Sequence, residues 1–133
     1  MTLNNPYQSY QTNSVVTASP GELTLMLYNG CLKFINLARK AIQENSIEEK
    51  NTNLLKAQNI IKELMGSLNM DIEISKNMMT MYEYILHRLI EVNINNDVEA
   101  LTEVEGHITE FRDAWKEVIL INRQQQPDQG GRA

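Results

Sequence analysis

The sequence predicts an all-α fold, an antiparallel up-down-up-down four-helix bundle with an N-terminal arm, and three observations carry that reading. All three prolines lie towards the ends, at Pro6, Pro20 and Pro127, so the long interval after Pro20 lacks the strongest helix breaker. That interval holds four stretches whose apolar residues recur at three- and four-residue steps. Short clusters of capping and turn residues separate them.

The first helix is announced by Ser19-Pro20-Gly21-Glu22. Ser19 and Glu22 form a capping box, and Pro20 suits the first helical position. Leu23, Met26, Leu27, Cys31, Phe34, Ala38 and Ala41 then make one continuous stripe, read as the core face. Leu25, Tyr28 and Leu32 fall on roughly the opposite side, and Ile35 lies at the margin. Together they widen the apolar arc to about 260°, against the ~100° that a surface helix needs. This second face calls for a cover: the N-terminal arm, a second copy in a homodimer, or an apolar segment of a partner.

The second helix starts at Ser46, whose partner in another capping box is Glu49. Its stripe is Ile47, Leu54, Ala57, Ile61, Leu64, Met65 and Leu68, and it should end near Asn69. Ser75 is the expected cap of the third helix, which carries Met78, Tyr82, Ile85, Leu86, Leu89 and Val92. Asn93 to Asp97 supplies the stop and the restart. From Val98 the fourth helix shows Leu101, Val104, Ile108, Phe111, Trp115 and Val118, the spacing of a bundle seam. Helices of about 20 to 26 residues, roughly 30 to 39 Å long, with short connections favour antiparallel neighbours. The expected organisation is an arm over residues 1–18, a bundle over 19–123 and a disordered tail over 124–133, where three glutamines, a proline and a glycine pair have nothing to bury.

At 133 residues the chain fits one domain, long enough to bury about two-thirds of its unfolded surface without disulfides or metals. A net charge of -5 with no basic run argues against nucleic-acid binding. Cys31 cannot form an internal disulfide and sits on the core face. No signal peptide and no run near the ~20 residues of a membrane span is visible, so a cytoplasmic protein without membrane insertion is expected.

Chemistry is thinly supplied. His87 and His107 are the only histidines, and neither follows a glutamate at the Glu-x-x-His spacing of carboxylate-bridged metal bundles. No phosphate loop, Cys-x-x-Cys pair or Ser/His/Asp grouping is present. The reading is a non-enzyme with no cofactor and no metal. Two alternatives stay open: a histidine phosphotransfer bundle using His87, and a structural bundle that dimerises through its second apolar face.

The run Asn5-Pro6-Tyr7-Gln8-Ser9-Tyr10, then Val15-Val16-Thr17-Ala18-Ser19-Pro20, then Leu23 and Met26-Leu27-Tyr28-Asn29-Gly30, resembles the N-terminal signature of the flagellar export chaperone FliS family. Leu54 to Leu64 and Phe111-Arg112-Asp113-Ala114-Trp115 resemble it too, and the match runs from about Asn4 to Arg123. The resemblance implies a cytosolic helical bundle that binds the C-terminal segment of newly made flagellin, prevents premature polymerisation and docks, loaded, on the export-gate platform of the flagellar type III apparatus. It also implies that the arm around Tyr7 and Tyr10 lies over the bundle and helps to control the flagellin site. The residues expected to meet flagellin or the covering arm are Tyr7, Tyr10, Val15, Leu25, Tyr28, Leu32 and Ile35.

Overall fold

The computed structural model describes residues 20–125, and they form four helices: α1 (Pro20–Gln43), α2 (Ile47–Gly66), α3 (Glu73–Asn95) and α4 (Val98–Gln125). The expected arm, the Ser19 cap and most of the expected tail lie outside these residues. Helix α4 continues to Gln125, past the bundle boundary expected at Arg123.

Each turn is closed by local hydrogen bonds that the sequence can supply. At the end of α1 the Ser46 amide bonds to the Ala41 carbonyl at 2.8 Å and the Asn45 amide to Ile42 at 3.1 Å, the paired bonds of a Schellman motif. Asn45 takes the left-handed conformation (φ 58°) that this motif needs and that asparagine tolerates. Ser46 then caps α2 as expected, its Oγ accepting the Glu49 amide at 3.4 Å. Asn96, also left-handed, ends α3 with its amide on the Val92 carbonyl, and Asp97 Oδ1 accepts the Ala100 amide to start α4.

Two boundaries differ from expectation. Helix α2 stops at Gly66, not near Asn69, because Ser67 turns its amide back on the Glu63 and Leu64 carbonyls. Helix α3 starts at Glu73, with Ile72 in the cap position and no side-chain cap; Ser75 is buried within the first turn instead. Ile47, expected in the core, is 75% exposed at the first position of α2.

Neighbouring helices run antiparallel. Arg39 near the end of α1 bonds Glu105 near the start of α4 at 2.7 Å, and at the opposite end the Trp115 indole reaches the Gly21 carbonyl. Tyr84 and Arg88 of α3 share Glu103 of α4, at 2.5 and 3.0 Å. The Tyr84 hydroxyl, helped by Arg88, holds the Glu103 carboxyl below the usual carboxylate range. Lys50 of α2, itself buried, places its ammonium 3.0 Å from the Asn93 carbonyl and 2.7 Å from Asn96 Oδ1. It thus caps the C-terminal end of α3 from a neighbouring helix, where the dipole favours a cation.

Helix α1 packs against both α2 and α4, and that geometry explains its broad apolar arc. Tyr28 and Leu32, expected on a second outer face, and Ile35, expected at its margin, are core residues together with Leu27, Cys31 and Phe34. The expectation took one stripe as the whole core face, whereas a helix with two packed neighbours buries two. Leu23, Leu25 and Met26 are only half-buried. Burial pushes the Cys31 thiol up to about 12, so it stays protonated and acts as a small apolar group.

Candidate functional site

The bundle has a small cavity of about 160 Å³ at the Lys50 end and a much larger one at the other. There the first turns of α1, the end of α2, the connection 67–72, the start of α3 and the second half of α4 enclose a cavity of about 470 Å³. Its floor is aromatic. Tyr28 stacks on Phe111 at 6.1 Å between ring centres, and Tyr82 meets Phe111 edge-on at 5.8 Å. The two phenol oxygens are 2.6 Å apart.

Apolar walls rise from this floor: Leu64 and Leu68 from the α2 side, Met78 from α3, and Trp115 with Val118 from α4. Trp115 is held in place because its indole N–H donates to the Gly21 carbonyl at 2.7 Å. At the rim Ile72 and Ile74 are half or more exposed, with Val118 nearly so. The loop that carries this rim is fixed by two short bonds: the Asp71 amide to Asn69 Oδ1, and the Ile72 amide to the Asn69 carbonyl, both at 3.0 Å. None of the residues lining the cavity is charged.

The lining carries no histidine, cysteine, lysine or carboxylate, and its hydroxyls are those of Thr24, Ser67, Ser75 and the two tyrosines. Burial raises both phenols above the ordinary tyrosine value, so they are neutral hydrogen-bonding groups at any physiological pH. No group of three or more His, Cys, Asp or Glu able to hold a metal occurs among the described residues. His87 lies elsewhere, on the exposed side of α3, with Nε2 3.4 Å from Glu91 Oε2. The chemistry available in the cavity is uptake of an apolar segment with one or two polar contacts.

Of the residues nominated from sequence, Tyr7, Tyr10 and Val15 lie outside the described residues. Among the other four, Tyr28 lines the cavity, whereas Leu25, Leu32 and Ile35 do not. Most of the cavity was read as core stripe, since Leu64, Leu68, Met78, Phe111, Trp115 and Val118 each sit at the proper helical spacing. The signal that distinguishes this end is the connection itself. A surface loop is expected to be polar, yet residues 68–74 alternate Leu68, Met70, Ile72 and Ile74 with polar partners.

Comparison with known proteins fits this architecture. The model of the family described as "Flagellar protein FliS" matches residues 3–122. The chain is 57% identical over 131 residues to the flagellar secretion chaperone FliS of Bacillus subtilis, covering 98% of both chains. It is 37% identical over 111 residues to the Escherichia coli flagellar secretion chaperone FliS, covering 81% of this chain and 82% of that one. A crystal structure of a bacterial flagellar chaperone superposes with a TM-score of 0.71 over 85% of this chain and 94% of that chain, at 18% identity, which supports the fold. No helix among the described residues is long and apolar enough to cross a membrane. With a helical bundle, a family model that matches residues 3–122 and 57% identity over 98% of the Bacillus subtilis relative, the chain belongs to the FliS family of flagellar secretion chaperones.

Proposed function

We propose that this protein is a cytosolic chaperone that holds the C-terminal segment of flagellin in the apolar end groove, keeps it from polymerising and hands it to the flagellar export apparatus. The observation that carries the reading is the uncharged groove of about 470 Å³, rimmed by exposed Ile72, Ile74 and Val118. A bundle with no client has little reason to leave a mobile-sized hollow lined by Trp, Phe, Met and Leu at one end. Covering the three rim side chains contributes on the order of 2–4 kcal/mol, since each is already partly buried. That suits a client that must order on binding and later be released.

Gly21, in the first turn of α1, stands beside the groove, its carbonyl accepting from the Trp115 indole N–H. The arm that carries Tyr7, Tyr10 and Val15 precedes it in sequence and is proposed to share this surface with flagellin. Docking of the loaded complex on the export-gate platform is part of the same reading. Mixing the protein with a flagellin C-terminal peptide and looking for a 1:1 complex by size exclusion tests it; no complex at micromolar concentrations rejects it.

A further inference from the structure

We infer that the Tyr28–Tyr82 hydroxyl pair is a specificity-determining donor on the groove floor, taking a carbonyl oxygen, from backbone or side-chain amide, of the apolar segment held there. This rests on the reading of the groove as a client site.

The argument is one of counting protons. Each phenol carries one O–H, and with the oxygens 2.6 Å apart one proton is used between them. The other has no acceptor among the described residues. Both side chains are 2% exposed, and both rings pack on Phe111. A buried donor without a partner is costly, and both rings line the cavity that a client would fill. The hydroxyl that accepts the internal bond is also polarised by it into a stronger donor.

The identity of the acceptor follows from charge. No lining residue is cationic, so a carboxylate brought to this floor would be buried unpaired. A neutral amide carbonyl meets the donor without that cost. Most of the lining is apolar, and Ser67 Oγ and Asn69 Oδ1 are engaged with their local backbone, so the contact at the phenol pair fixes the register of the bound segment.

The test uses the full chain and a synthetic flagellin C-terminal peptide, titrated by calorimetry against the wild type, Tyr28→Phe, Tyr82→Phe and the double variant, with circular dichroism melts to show that each is folded. The double variant should bind about fivefold more weakly, the loss of one neutral hydrogen bond. Because the pair has one surplus proton, one single variant should carry most of that loss and the other little. A second measurement replaces peptide amides by esters one at a time, which weakens one carbonyl acceptor per peptide. One ester position should lose affinity for the wild type and not for the single variant that lacks the donor. Binding of the folded double variant within twofold of wild type, or an ester profile that is the same in all variants, overturns the inference. If the wild type takes up no peptide at all, the groove reading itself falls and the inference with it.

Discussion

The indole N–H of Trp115 donates to the Gly21 carbonyl at 2.7 Å, joining the second half of α4 to the first turn of α1 across 94 positions of sequence. The bond holds the mouth of the groove in shape, because Trp115 forms its wall and Gly21 lies in the first turn of α1 beside it. Trp115→Phe keeps the apolar wall and removes the bond. We expect a loss of about 1 kcal/mol in denaturant unfolding. Hydrogen exchange should quicken at the start of α1 and not at its end, near Arg39.

Burial separates residues that hold the bundle from those proposed to hold a client. Leu32→Glu and Leu101→Glu place a carboxylate among fully packed side chains and should abolish the helical signal in circular dichroism. Ile72→Glu and Ile74→Glu alter side chains already half or more exposed and should leave the melting curve within about 0.5 kcal/mol of wild type.

How much of this could be read from the chain alone is clear from α1. Its start at Pro20 and its apolar stripe follow from local chemistry that is written in consecutive residues. Its neighbours are not written there. Tyr28, Leu32 and Ile35 look like a surplus face until α4 is placed against them, because periodicity reports that a side chain is apolar and not which partner covers it. The groove was hidden for the same reason: Leu64, Met78, Phe111 and Trp115 come from three helices and are indistinguishable by spacing from core residues further along. Ser75 misled in the opposite sense, since a serine read as the cap is buried within the first turn, past the actual cap position at Ile72.

Alkaline pH should unfold the protein through its buried acids. Tyr28 and Tyr82 are raised in the folded state by burial, while in the unfolded chain tyrosine ionises near 10. Above about pH 10 the unfolded state binds fewer protons than the folded one, so stability falls as pH rises; below it the contribution is fully present. Cys31, pushed up to about 12 from its ordinary thiol range, adds to the same trend. The difference in tyrosinate absorbance between wild type and the Tyr28→Phe/Tyr82→Phe variant should develop together with loss of helix. Its full appearance while the helical signal is intact would contradict the burial assigned to these phenols.

Gly106 lies in the interior of α4, exposed, with nothing within 4 Å of where a Cβ would stand. Gly106→Ala should therefore stabilise the protein by about 0.8 kcal/mol through helix propensity alone, a rise of about 3 °C in Tm. Gly30 is the contrasting case, since a Cβ there would stand 3.3 Å from Ile60 Cδ1 and offset that gain by crowding the α1–α2 contact.

The central claim is that the client sits in the end groove, and isothermal titration with a flagellin C-terminal peptide tests it most directly when both ends of the bundle are varied. Ile74→Glu alters the groove rim, and Ile94→Glu alters a side chain that is 73% exposed at the opposite end. The account predicts 1:1 binding to the wild type, an affinity at least tenfold lower for Ile74→Glu, and no change for Ile94→Glu. Undiminished binding by Ile74→Glu, with the loss falling on Ile94→Glu instead, would contradict it.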